Sequence, residues 1–408
     1  MNILFLTLVK IKSLDERGIY TDLLRKFKEE GHEIHVVNPV ERRENEKTSV
    51  VKESGTTLLN VRTLNIQKTN LIEKGVGTLL IERQYLKAIK KHFSGVKFDL
   101  IIYVTPPITF FKIIRYIKKR DNAFSYLLLK DIFPQNAVDM KMIKENGILH
   151  KFFLKKEANL YAISDVIGCM SDANKEYIIK HNPTIDPKLI EVNPNTISPV
   201  SSYLTKKGQN EVRDKHNLPL EKKIFVYGGN LGKPQGLDFL LRTILSNNNE
   251  NCYFLIVGSG TEFSRIERWF EVQKPNNAML ISGLPKNEYD DLLQSCDIGL
   301  IFLHSDFTIP NFPSRLLSYL EMKKPIIAAT DIATDIGKVI EKNNCGYWVI
   351  SGDDLKMTAV IDEISSDDYK IQLMGENAWN LLQEKYHVNK SYALIINKLK
   401  NRKPFLSP

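Results

Sequence analysis

Cysteine is scarce, with four in 408 residues. Cys169, Cys252, Cys296 and Cys345 lie far apart and form no C-x-x-C pair, which excludes a disulfide framework and a thiolate zinc site. They read as buried thiols of a reducing cytosol. No long apolar run occurs either. The longest such region, Phe98 to Ile117, is broken by Thr105-Pro106-Pro107 and carries Lys112 and Arg115, which excludes a conventional membrane span of about 20 residues. The opening MNILFLTLVK lacks a basic leader and predicts a first strand, not a signal peptide. There is no low-complexity tract and no repeat at solenoid periods. Histidine shows no metal-ligand spacing: His32 and His35 fall in or beside a strand, and His304 follows one. No D-x-D motif is present, and no nucleic-acid-binding module is recognised.

Two nucleotide motifs are incomplete. In IFVYGGNLGKPQGLDFLL (Ile224 to Leu241), three residues instead of four separate Gly228 from Gly232. Pro234 stands where a Walker loop needs Ser or Thr for magnesium. Gly258-Ser259-Gly260 is followed by Phe263 where a dinucleotide fingerprint needs its third glycine.

What is present is an alternation of strand and helix patterns, the signature of parallel α/β sheets. Asn2–Val9, Glu33–Asn38, Phe98–Val104, Phe124–Lys130 and Val166–Ser171 read as strands, interleaved with helical patterns at Tyr20–Glu30, Thr78–Phe93, Thr109–Lys119 and Leu149–Ala162. A polar stretch, Ser198 to Lys223, predicts a linker. A second series of six strands follows, from Ile224–Tyr227 to Tyr347–Ile350. We therefore expect one domain over 1–200, a second over 201–385, and a terminal helical segment, 386–408, that returns to cover the first. Residues 1–200 hold 32 Lys and Arg against 23 Asp and Glu, whereas residues 201–408 hold 25 of each. All the net positive charge lies in the first half, a field suited to an anionic membrane or to nucleic acid.

The turn after Ile224–Tyr227 has glycines at 228, 229, 232 and 236, with Lys233 among them. It reads either as an anion cradle opening a helix or as a tight connection with a solvated lysine. Gly258 and Gly260 repeat the device at the next strand end. In NFPSRLLSYLEMKKPIIAA (Asn311 to Ala329), Pro313 and Ser314 are helix-start signals and put Arg315 in the first turn. A cation there is unfavourable unless it shares an anion. Asp131, directly after a strand, reads as an acceptor-side base or as a helix N-cap. Lys112, Arg115 and Lys119 share a helix face opposite Phe110, Ile113, Ile114 and Ile117. LHKFFLKK (Leu149 to Lys156) is also basic and apolar.

The succession YGGNLGKPQGLDFLL, IVGSGTE, ISGLPKNEYDDLLQSCDIGLIFL and PSRLLSYLEMKKPIIAA resembles the donor half of a family 4 glycosyltransferase. LKDIFPQNAVDM resembles a segment of bacterial enzymes that build capsule and O-antigen repeat units, N-acetyl-L-fucosamine transferases among them. The resemblance implies the α/β GT-B fold, two Rossmann-like domains facing each other across a cleft. It implies retaining transfer from a UDP-sugar to a polyprenyl-diphosphate-linked saccharide, with no metal or other cofactor required. The enzyme would be cytoplasmic, held on the inner face of the plasma membrane by its basic first domain. Asn230 and Gln235 occupy the places of the family's diphosphate-binding Arg and Lys, which leaves Lys233, Arg315 and the Gly229 to Gly232 amides to hold the phosphates. Pro310 and Ser318 occupy the places of its glutamate pair, with Glu321 one turn beyond Ser318 as the candidate for the ribose. Gly258, Gly260, Pro313 and Ser314 complete the expected donor site; Asp131, Lys130, Arg17 and Gly18 form the expected acceptor side. The rivals are a GT-B nucleotide-sugar epimerase, which needs no acceptor, and a silent subunit of a glycan-assembly complex.

Overall fold

The computed structural model describes residues 1–66, 71–200 and 202–402. The chain divides into two compact units: Met1–Ile197 joined by the chain from Val388 onward, and Ser198–His387. The boundary expected after residue 200 adjoins residue 201, which lies outside the described residues, as do the last six residues of the expected terminal segment.

The first unit runs β1 (Asn2–Leu6), α1 (Ile19–Glu29), β2 (Glu33–Glu41), β3 (Ser49–Glu53), β4 (Thr56–Thr63), α2 (Leu71–His92), β5 (Leu100–Val104), α3 (Phe111–Asp121), β6 (Phe124–Leu129), α4 (Gln135–Asp139), α5 (Ile148–Ile163), β7 (Val166–Cys169), α6 (Asp172–His181) and β8 (Ile190–Val192). Its sheet order is β3-β4-β2-β1-β5-β6-β7-β8, parallel except for β3, which pairs antiparallel with β4. The central strands β1, β5 and β6 are almost wholly apolar because helices cover both faces. Three of the unit's strands were not expected. β3 and β4 form a hairpin about Gly55, at φ +66°, and β8 is a three-residue edge strand, too short for a periodic pattern.

The second unit runs α7 (Lys206–Lys215), β9 (Lys223–Asn230), α8 (Leu237–Ser246), β10 (Cys252–Ser259), α9 (Phe263–Gln273), β11 (Ala278–Ser282), α10 (Lys286–Ser295), β12 (Ile298–Phe302), α11 (Arg315–Glu321), β13 (Ile326–Thr330), α12 (Ile336–Lys342), β14 (Gly346–Ile350), α13 (Asp354–Ser365) and α14 (Asp368–Leu381). All six strands are parallel, in the order β11-β10-β9-β12-β13-β14. This is the doubly wound order in which the direction of strand addition reverses between β9 and β12, opening a crevice at their carboxyl ends. The expected linker is not structureless. It contains α7, capped by the Thr205 hydroxyl accepting from Gly208 N–H, and Arg213 anchors that helix through Asp297 at 2.7 Å and the Ser295 carbonyl.

Beyond α14 the chain re-enters the first unit as α15 (Val388–Lys400). Val388 N–H donates to the Ile197 carbonyl, and Ile395 and Ile396 are buried with Leu23, Leu24 and Phe27 of α1. Tyr392 meets Phe27 edge to face at 4.9 Å.

Candidate functional site

In the second unit the site forms at the switch point. β9 ends in Gly228, Gly229 and Asn230, and Gly228 has no room for a side chain: a Cβ there would lie 1.8 Å from the Tyr289 Oη. Gly229 has φ +120°, open to glycine and strained for other residues, and its missing Cβ faces the Arg315 guanidinium at 3.8 Å. Backbone and cation thus approach each other with no side chain between.

Arg315 is the first residue of α11. Its guanidinium lies 4.2 Å from the centre of the Tyr227 ring, with Tyr289 and Tyr319 also beside it. Tyr319, one turn along on the same helix face, has its hydroxyl fixed between strands. It accepts from Gly228 N–H and lies 3.1 Å and 3.0 Å from the Val226 and Leu300 carbonyls, to either of which it can donate. Tyr227 donates to the Asn230 carbonyl. The Nη1 atom of Arg315 is buried and has no hydrogen-bond partner, and no carboxylate lies within ion-pair distance of the group among the described residues. Arginine stays protonated at any working pH, so this is a half-buried cation that meets the Tyr227 hydroxyl but no carboxylate among the described residues, an arrangement that an anion would complete.

The glycine-rich loop behaves differently from expectation. Gln235 Oε1 accepts from both Asn230 Nδ2, at 3.0 Å, and Gly232 N–H, at 3.1 Å. Leu231 N–H donates to the Ser259 carbonyl. Two of the amides from Gly229 to Gly232 are therefore occupied within the protein, and the pair standing in place of Arg and Lys forms a neutral brace across the loop. Gly258 and Gly260 serve packing: a Cβ on either would lie 1.9 Å from the Gly229 carbonyl or 2.1 Å from the Leu231 carbonyl. Lys233 is exposed, with no carboxylate partner among the described residues. Of the expected cations, the structure places Arg315 beside Gly229 and leaves Lys233 on the rim of the loop.

Pro313 and Ser314 lead into α11 through their carbonyls, which accept from Leu316 and Leu317 N–H; Ser314 is exposed and its side chain makes no cap. Ser318 is partly buried on the same helix. Glu321 is turned elsewhere. Its carboxylate is buried and accepts from Val200 N–H at 2.8 Å, and its carbonyl accepts from the Tyr203 hydroxyl, so it ties the entering segment to α11. The tyrosines around Arg315 had no signal in the sequence except Tyr319, four residues beyond it and thus on its helix face.

In the first unit Asp131 follows β6. It does not cap α4, whose N-cap is Pro134. Its Oδ1 accepts from Asn136 Nδ2 at 3.0 Å, and its backbone is held by the Thr105 hydroxyl. Burial pushes its carboxyl up to about 6 despite the Asn136 hydrogen bond. Tyr20 of α1 lies near enough that the Asp131 charge adds to the burial that pushes its hydroxyl up. Burial pushes the Lys130 amine down to about 7, with Cys169 near enough to act on it. Gly18 is the N-cap of α1 and Arg17 precedes it, partly buried. Asn136 and Tyr20 were not among the expected site residues.

The described residues contain no group of three or more His, Cys, Asp or Glu able to hold a metal ion. What the second unit brings together is one half-buried guanidinium and a glycine backbone at the mouth of a doubly wound sheet, a pairing chemically able to receive an oxyanion.

Comparison with known proteins identifies this architecture. Residues 208–380 match the family model for glycosyl transferases group 1. The probable glycosyltransferase WbjE of Pseudomonas aeruginosa is 23% identical over 332 residues, 78% of each chain. The putative colanic acid biosynthesis glycosyl transferase WcaI of Escherichia coli K12 is 27% identical over 133 residues, 32% of each. The structure of HepE from Anabaena in complex with UDP-glucose superposes with a TM-score of 0.68 at 15% identity, covering 98% of this chain and all of that one. On these likenesses the chain is a nucleotide-sugar-dependent glycosyltransferase with the GT-B fold.

Proposed function

We propose that the protein moves an N-acetylated deoxyhexose of the N-acetyl-L-fucosamine kind from its UDP donor, with retention, to a polyprenyl-diphosphate-linked saccharide. The setting is the building of capsule or O-antigen repeat units on the cytoplasmic face of the plasma membrane. The observation that carries the donor half is Arg315, a half-buried guanidinium whose buried Nη1 atom is an unused donor, set against Gly229 and without a carboxylate among the described residues. A diphosphate supplies the missing charge, and the oxygen that takes on charge as the glycosidic bond breaks is the one such a group stabilises. Lys233, on the flexible end of a long side chain, closes on the same phosphates. UDP-glucose in HepE and the colanic acid role in the name of WcaI support a UDP-sugar and a polysaccharide product.

On the acceptor side Asp131 is the general base. A carboxyl held near 6 is ionised at neutral pH yet basic enough to take the acceptor hydroxyl proton, and Asn136 aims it. Retaining transfer needs no glycosidase-type carboxylate pair.

The test is an assay of UDP-sugars against membrane lipid extract, with wild type and Arg315→Ala. Transfer of an N-acetylated deoxyhexose to lipid, lost with UDP affinity in the variant, is the expected result. Conversion of the donor without an acceptor would instead identify an epimerase.

A further inference from the structure

We propose that the N-terminal half of α5, with the turn before it, is a wedge that seats the first unit in an anionic lipid surface; this rests on the reading of that unit as the acceptor side. α5 has an ordinary inner stripe of buried His150, Glu157, Leu160 and Tyr161 with half-buried Phe153. Its outer side is the anomaly. Ile148 is 89% exposed, Leu149 60% and Phe152 41%, with Met142 of the preceding turn exposed as well. Three large apolar side chains at i, i+1 and i+4 form one contiguous outward sector. An exposed apolar cluster of this kind marks a surface meant to be covered.

Charge around the cluster selects the occupant. Lys144, Lys151 and Lys155 are exposed beside it with no carboxylate partner among the described residues, and Lys156 lies over the Phe152 ring at 5.5 Å. Glu145 is the only acid between Met140 and Lys156. α3 packs against α5 on one side and α2 on the other, and Glu82 of α2 lies among Lys112, Arg115 and Lys156, so the basic faces of α3 and α5 adjoin. An apolar tip ringed by ammonium groups fits a bilayer of anionic lipids, in which apolar side chains enter the acyl boundary while lysines reach the phosphates. A second copy of the chain would oppose lysines to lysines.

The expected membrane face, Lys112, Arg115 and Lys119 of α3, is exposed as predicted from spacing, but α3 shows no exposed large apolar side chain. It attracts; α5 inserts. No described helix is long and apolar enough to cross a membrane. The wedge also connects to the chemistry. Phe153 packs edge to face on Phe133 at 5.0 Å, and Phe133 lies two residues beyond Asp131. Seating α5 at the headgroup level therefore holds Asp131 within reach of a saccharide carried on a lipid.

Cosedimentation of the full chain with phosphatidylglycerol–phosphatidylcholine vesicles, and with phosphatidylcholine alone, tests this. The wild type should favour the anionic vesicles. Ile148→Ser/Leu149→Ser/Phe152→Ser should lower partitioning about tenfold or more, including at high salt. Lys144→Gln/Lys151→Gln/Lys155→Gln should lower it about tenfold at low salt and little at high salt. All six positions are exposed, so circular dichroism and UDP affinity should match wild type. If UDP fails to bind the wild type, the donor reading falls and the wedge stands. Unchanged partitioning of the serine variant overturns the wedge. So does a change in the free protein's sedimentation coefficient on serine substitution, which would assign the patch to contact between copies.

Discussion

Asp131 sits where burial disfavours its working charge, and Arg315 is a half-buried cation with tyrosines but no carboxylate beside it among the described residues; each yields a prediction in which activity and stability move oppositely. Arg315→Met removes a half-buried cation that has no carboxylate partner among the described residues and retains apolar contact with Tyr227. It should weaken UDP binding by an order of magnitude or more while raising the stability of the nucleotide-free protein by about 1–3 kcal/mol, measured by urea unfolding with and without UDP. Equal stability and unchanged affinity would place Arg315 outside the site. For Asp131, the folded carboxyl at about 6 lies above the unfolded value of about 3.9. The protonated form is the one the fold favours, so stability is full below about pH 4 and declines as pH rises through about 6. Asp131→Asn should then stabilise at pH 8 by up to about 3 kcal/mol and leave melting at pH 4 unchanged. In the wild type, transfer should rise with pH through about 6 and level off above it, because only the ionised form accepts a proton. A flat profile with wild-type transfer in Asp131→Asn would remove its role as base.

Among the elements, the loop after β9 illustrates how much of a binding site is packing. Gly258 and Gly260 were read as possible anion donors, yet their lack of a side chain lets β10 and its turn lie directly on the Gly229 and Leu231 carbonyls. Gly258→Ala should cost about 1–3 kcal/mol of stability and lower UDP affinity by displacing Gly229 from Arg315. Affinity unaffected by the substitution would show that the loop position is irrelevant to nucleotide binding. Secondary structure here was legible because most strands are short, branched and apolar, with turn residues at their ends. Most elements that escaped have a weak local pattern: β3 carries Lys52 and Glu53 in five residues, β8 has three residues, and α7, KKGQNEVRDK, has hardly any apolar periodicity and is held by Arg213 and Asp297; β4, TTLLNVRT, escaped although its residues are branched and apolar. The site was legible in part: Arg315 and the glycine turn follow from spacing, whereas Tyr227 and Tyr289 come to Arg315 from separate strand and helix positions that share no local pattern.

Over the whole molecule, the return of the C-terminal helix changes the charge distribution. With the chain from Val388 onward, the first unit holds 37 Lys and Arg against 23 Asp and Glu, a net of +14; Ser198–His387 holds 20 against 25, a net of −5. A split by sequence halves had made the second part neutral. α15 also completes the core of the first unit, burying Val388, Ile395 and Ile396 on α1 at about 1.5–3 kcal/mol each. Ending the chain at His387 should therefore lower the melting of the first unit sharply and leave the second, with its UDP affinity, near wild type. Calorimetry with and without UDP separates the two transitions, and loss of both together would show that the units do not unfold independently.

The sequence by itself determined two doubly wound α/β units, the glycine turn, and an arginine at the start of α11, because these depend on local periodicity and on residues a few positions apart. The tertiary structure alone decided that Arg315 has no carboxylate partner among the described residues, that Gln235 occupies the Gly232 amide, that Glu321 serves Val200, and that the outer side of α5 is left uncovered. Each of these is a matter of which groups remain unpaired after packing, and partners distant in sequence are set by strand order and helix contact, which no local pattern records.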